Sequence, residues 1–64
     1  MKVFIEEKNK TSTISFKGSV KALLKKLRIN HATVLVVRNG SIASLDAMLS
    51  DSDSIRILEV FMGG

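Results

Sequence analysis

Residues 34–58 read VLVVRNGSIASLDAMLSDSDSIRIL, and their pattern decides the fold. Val34–Val37 is a β-branched, apolar run. It ends in Asn39-Gly40, a dipeptide suited to a two-residue hairpin turn because both positions accept positive φ. "SIASL" (Ser41–Leu45) reads as a weak short strand, Asp46–Leu49 as a helical turn, and the Asp/Ser stretch up to Ser54 as a loop. The final strand is "SIRILEVFM" (Ser54–Met62), with Ile55 and Ile57 facing one way and Arg56 and Leu58 the other. Val34 and Val36 form the core pair of the earlier strand, and Leu35 and Val37 fall out of phase with them.

Towards the N-terminus, "KVFIEE" alternates, placing Val3 and Ile5 on one face and Lys2, Phe4 and Glu6 on the other. Glu7–Thr11 is a polar, turn-rich break, and "TISFK" then alternates again with Ile14 and Phe16 in phase, which predicts a β-hairpin. In "GSVKALLKKLRIN" Ser19 suits an N-cap. Val20, Leu23, Leu24 and Leu27 form a helical stripe, and Asn30 supplies a stop. One amphipathic helix can cover one face of one mixed sheet, so the expected fold is two-layer α+β with four or five strands. The helix stripe should meet Val3, Ile5, Ile14, Phe16, Val34, Val36, Ile55 and Ile57.

Composition removes several function classes. Sixty-four residues make one domain, near the lower limit for a core without staples. With no Cys there is no disulfide, thiolate metal site or thiol nucleophile, and a lone His31 builds neither a metal site nor a triad. The helix stop places His31 at a helix C-terminal end, which favours a cation. No apolar run approaches the ~18 residues of a membrane span, and "MKVFIEEK" holds no signal-peptide core, so the expected location is cytoplasmic. The net charge is +4, moderate for this length, and three Phe without Trp or Tyr offer no base-stacking platform, so the partner reading is protein, not nucleic acid or membrane. Lys21, Lys25, Lys26 and Arg28 read as a solvated helix face, Asp51 and Asp53 as loop formers bonding nearby amides, and Met48 and Met62 as packing residues.

The chain ends in "FMGG", and at average glycine usage a terminal pair is about a one-in-200 coincidence. Element order, length and Gly63-Gly64 together resemble the ubiquitin-like β-grasp family. Within it the likeness is to prokaryotic sulfur carriers of thiamine and molybdopterin synthesis (the ThiS/MoaD type) and to small archaeal modifier proteins. The motif stretches are residues 34–58 and "FMGG". The chain departs from the family at Asp51-Ser52-Asp53, where Asp-Gly-Asp is usual. On this reading residues 1–62 are the β-grasp domain and residues 63–64 a flexible di-glycine tail.

The resemblance implies that the Gly64 carboxylate is the reactive group and that the chain is a cosubstrate, with no catalytic residue, bound metal or bound cofactor. An α-carboxylate is ionised at neutral pH and is a poor electrophile, so a partner adenylating enzyme of the ThiF/MoeB (ubiquitin-activating-enzyme-like) type would activate it with ATP. A sulfur donor would then leave a thiocarboxylate for a sulfur-accepting synthase. Attack by a target-protein lysine would instead give an isopeptide bond, with Lys8 and Lys10 as possible acceptors for a second copy. Gly63 and Gly64 lack Cβ atoms and can pass a narrow opening, while Val60, Phe61 and Met62 would add contacts. A single helix leaves one sheet face open. Leu35, Val37 and Leu58, with Phe4 at the margin and Arg38 and Arg56 at the rim, should form a partner-binding patch there. A non-covalent binding module with an inert tail is the competing class.

Overall fold

The structure, a computed structural model, describes residues 1–60. The alternation of "KVFI" forms β1 (Lys2–Ile5), whose buried Val3 points inward. The connection is tighter than Glu7–Thr11. Glu6–Lys8 make one 3₁₀ turn, and Asn9, in the left-handed region at φ 47°, reverses the chain into β2 (Lys10–Thr13). Strand β2 therefore ends at Thr13, the first residue of "TISFK". Ile14 continues the pairing through its N–H to the Met1 carbonyl (2.9 Å), and Ile14 and Phe16 pack on the core from beyond the strand. A polar strand suffices here because β2 is an edge, paired on one side only, where exposed lysine and threonine discourage further pairing.

Gly18–Ser19 form a two-residue strand, β3, that leads directly into helix α1 (Val20–Lys26). Gly18 is required: its φ is 152°, and a Cβ there would stand 3.0 Å from Cζ of Phe16. The Ser19 hydroxyl accepts from the Ala22 amide at 3.1 Å, as an N-cap should. The Val20 and Lys21 amides donate to the carbonyls of Ala47 and Leu45, each at 3.0 Å. The segment expected as a helical turn over Asp46–Leu49 instead holds a single turn, closed by the Ala47 amide on the Ser44 carbonyl at 3.1 Å, followed by a short strand. Its strand β6 (Met48–Leu49) pairs with β3, and Leu49 is buried under the helix. Unpaired first-turn amides are costly when enclosed, and this pairing satisfies them.

Nor is Asn30 the helix stop. Leu27 caps α1, Arg28 takes φ 59°, and the Ile29 and Arg28 amides return to the carbonyls of Leu24 (2.9 Å) and Lys25 (3.1 Å). This is a Schellman ending, with an arginine where glycine is usual. Asn30 instead caps a 3₁₀ turn, His31–Thr33, accepting from the Ala32 amide at 3.0 Å, so His31 sits in that turn and not at the end of α1.

Strand β4 (Val34–Arg38) turns at Asn39-Gly40 into β5 (Ser41–Ile42), and β7 (Ser54–Glu59) closes the sheet. The order is β2-β1-β7-β4-β5, with β7 parallel to β1 and antiparallel to β4. Val3, Val20, Leu23, Leu24, Val36, Ile55 and Ile57 are all at least 97% buried, and Met1 and Leu49 complete the core. Each such side chain contributes about 1.5–3 kcal/mol by leaving water. Ile5, Ile14, Phe16 and Val34 are half-buried around it.

Candidate functional site

Alternation along β7 sets the site. With Ile55 and Ile57 locked against α1, Arg56 and Leu58 must project from the uncovered face. Register then aligns their neighbours: Phe4, Arg56 and Val37 form one cross-strand row, and Leu58 stands opposite Leu35 in the next. The guanidinium of Arg56 lies over the Phe4 ring, 5.6 Å from its centroid, a cation–π contact joining β7 to β1. Leu35, Val37, Leu58 and Phe4 are half-buried and Arg56 is exposed.

Two residues alter the expected patch. Arg38 is in phase with Val34 and Val36, not with Leu35 and Val37, and its Nη1 donates to the Met48 carbonyl at 2.9 Å. It therefore belongs to the β6 side of the sheet edge and does not rim the patch. Ile42 was missed: it pairs with Val37, extends the Phe4–Arg56–Val37 row, and is 70% exposed. The signal was present, since a two-residue Asn-Gly turn forces Arg38 opposite Ser41 and hence Val37 opposite Ile42.

At its start β7 is pinned by a polar clamp. The Asn39 side chain donates to Oδ1 of Asp53 (3.0 Å) and accepts from the Ser54 amide (2.9 Å), while Oδ2 of Asp53 accepts from the Ser50 amide (2.9 Å). The Ser50 amide bond first, then the Asn39 bond, holds the Asp53 carboxyl below its ordinary pKa. Asp53 thus forms its loop through the nearby Ser50 amide as expected, whereas Asp51 accepts from the distant Phe16 amide at 3.0 Å and ties the loop to the segment before β3.

At its far end β7 ends at Glu59, with Val60 already outside the strand, and the Phe61 and Met62 of the expected strand lie outside the described residues. The Val60 amide then donates to the Thr33 carbonyl at 2.8 Å, and Val60 is 43% exposed. Glu59 faces Glu7, whose charge, with some desolvation and a hydrogen bond between the two carboxyls, pushes the Glu59 pKa up. No period in the sequence marks this pair, because it joins a turn to a strand end. The two residues line a cleft of about 40 Å³ together with Ile5, Lys8, Ile29, Val34 and Ile57. Lys8 and Lys10 are exposed. Phe61, Met62, Gly63 and Gly64 lie outside the described residues, as does the expected domain boundary between 62 and 63. Among the described residues no group of three His, Asp or Glu could hold a metal ion, and no helix is long and apolar enough to cross a membrane.

One helix on a mixed five-stranded sheet, with its last strand exposed along one face and running out toward the C-terminus, defines a ubiquitin-like β-grasp protein. The ThiS family model matches residues 1–64. The crystal structure of a thiamine biosynthesis protein, ThiS, from Geobacter metallireducens is similar at 31% identity and a TM-score of 0.66, covering 100% of this chain and 99% of that one. No curated protein matches. The chain belongs to the ThiS family of β-grasp sulfur carriers.

Proposed function

We propose that this chain carries sulfur as a thiocarboxylate on Gly64. The carrying observation is that the match to the ThiS family runs through residue 64 and so takes in Gly63 and Gly64. In the proposed cycle an adenylating enzyme of the ThiF/MoeB type joins the Gly64 carboxylate to AMP from ATP, releasing pyrophosphate. A sulfur donor displaces AMP, and the thiocarboxylate is handed to a sulfur-accepting synthase. ATP is the enzyme's substrate, and the carrier is a protein substrate without catalytic groups of its own. The ThiS match supports thiamine synthesis as the destination, with molybdopterin synthesis and tRNA thiolation as further destinations of the same chemistry.

The β7 face supplies the docking geometry for this cycle. Leu35, Val37, Leu58, Phe4 and Arg56, extended by Ile42, would hold the partner while Val60, Phe61, Met62 and Gly63 lead Gly64 into its active site. The half-exposed Val60 after the clamped strand supports that exit direction.

The test is the intact mass of the protein from its native host, before and after a thiol-directed alkylating agent. Mass alone misleads, because one methionine sulfoxide nearly equals an oxygen-to-sulfur exchange and the chain has three Met. With no Cys, an alkylated peak mapping to Gly64 establishes the thiocarboxylate. Gly64 found instead on lysines, including Lys8 or Lys10 of a second copy, establishes the modifier reading. Neither species leaves the binding module.

A further inference from the structure

We infer that the outer face of α1 and the turn that ends it form a contact surface for a nucleic-acid phosphate backbone, on the side of the molecule opposite the open sheet face. Five of the ten Lys and Arg residues, and none of the six Asp and Glu residues, lie between Lys17 and His31. Lys17, Lys21, Lys25, Lys26 and Arg28 are all exposed, and the rest of the chain carries slightly more acidic than basic side chains. The net positive charge of the chain therefore belongs to this segment. Lys21 and Lys25 follow each other on one helix face and, with His31 and Asn30, line a cleft of about 270 Å³ against Leu24 and Ile29. Lys26 is committed elsewhere, over the Phe16 ring at 5.6 Å.

Arg28 supplies an independent observation. Three non-glycine residues among those described have positive φ, and two are asparagines, which tolerate that region. Arg28 is the third. Its backbone is strained where glycine would be relaxed, and a solvated-face reading gives no reason to keep an arginine there. An exposed guanidinium just past the end of the helix that carries Lys21 and Lys25 gives one, since arginine forks onto phosphate oxygens.

Phosphate fits this surface better than an acidic protein does. Protein interfaces are depleted in lysine and rely on apolar or aromatic anchors, whereas among the described residues the large exposed apolar ones, Ile42, Met48 and Val60, all lie off α1. A phosphate backbone requires only cations in a row. Without Trp or Tyr the contact is to the backbone and not to stacked bases, so sequence preference is not expected. The inference stands independently of the chemistry at Gly64, since this surface stays open while the sheet face is occupied.

The test is fluorescence anisotropy of a short labelled RNA stem-loop titrated with the full chain. Binding should weaken with salt at a log–log slope of about −2 to −3 as three contacts release counterions. Arg28→Gly should raise Tm by a few degrees while lowering affinity and reducing the slope by about 1. The charge-matched Lys2→Ala change, on the sheet side, should leave binding within about twofold, and Lys21→Ala/Lys25→Ala/Arg28→Gly should weaken it about tenfold or more at ~50 mM salt. The inference is overturned by no RNA binding at low salt, by equal loss in Lys2→Ala and Arg28→Gly, or by a polyglutamate peptide binding more tightly than the RNA. The last result would assign the surface to an acidic protein. Because the readout is direct binding, it is unaffected by whether Gly64 carries sulfur.

Discussion

Strand β7 presents two different surfaces from adjacent residues. Ile55 and Ile57 are 1% and 2% exposed against α1, while Arg56 and Leu58, one position away, face outward into the row of Phe4, Val37 and Leu35. The inward set stabilises the fold and the outward set is free to recognise a partner. A one-residue period-2 strand thus lets stability and recognition be altered separately, provided the register holds. The pinning of that register is also unequal. The start of β7 is held by Asn39 and Asp53, and its end faces a repelling carboxylate.

The largest effect should come from the inward set. Ile57→Ala deletes buried atoms beneath α1 and should cost about 2–5 kcal/mol, enough to populate the unfolded state in so small a domain. Leu58→Ala, on a half-buried outward residue, should cost about 1 kcal/mol or less and leave m unchanged in urea titrations. Its main consequence should be weaker capture by an adenylating enzyme of the ThiF type, measured by binding of folded protein. Equal destabilisation by the two substitutions would break the comparison, because it would mean that the outward face is also core.

The clamp at the start of β7 comes next. Asn39→Ala removes two side-chain hydrogen bonds and puts alanine at φ 51°, and should cost about 1–2 kcal/mol by denaturant titration. Asp53 gives the same contact a pH signature. Its folded-state pKa lies below the ordinary value of about 3.8 expected for the unfolded chain. The stabilisation is therefore fully present above that value and is lost as pH falls through the lower, folded one. Tm measured from neutral pH into the acid range should fall less steeply for Asp53→Asn than for the wild type. An unchanged acid slope would show that the clamp does not discriminate between the charged and neutral carboxyl.

These contrasts also mark what could be read in advance. The inward residues were legible because Val3, Val36, Ile55 and Ile57 alternate with outward ones and the helix stripe repeats at its own period. So were the Asn39-Gly40 turn and the loop-forming Asp53, whose signals are local, whereas the bond from the Phe16 amide to Asp51, 35 residues away in the chain, was not. The pairing of Met48–Leu49 with Gly18–Ser19 was not, because the same few apolar residues suit a helical turn until the amides of Val20 and Lys21 require acceptors. Arg38 was assigned to the wrong face because the phase of Val34 and Val36 was not carried to the end of the strand. The helix stop was placed two residues late, since nothing in a sequence announces an arginine in the left-handed region.

The smallest effect sharpens the contrast between the ends of β7. Glu59 is fully exposed, yet Glu7 raises its pKa, so the folded state favours the protonated form. The sign is opposite to that at Asp53. Stability from this pair is present when Glu59 is protonated and is lost as pH rises through its folded pKa, leaving repulsion at neutral pH. Glu59→Gln should therefore raise Tm slightly at pH 7 and not at acid pH, with the difference shrinking in high salt as the exposed charges are screened. A loss of stability at neutral pH would mean that the two carboxylates share a cation, and would make both ends of the strand alike. If the gain appears, the carrier holds like charges together where its chain turns toward Gly64, while its fold remains secured at the opposite end of the same strand.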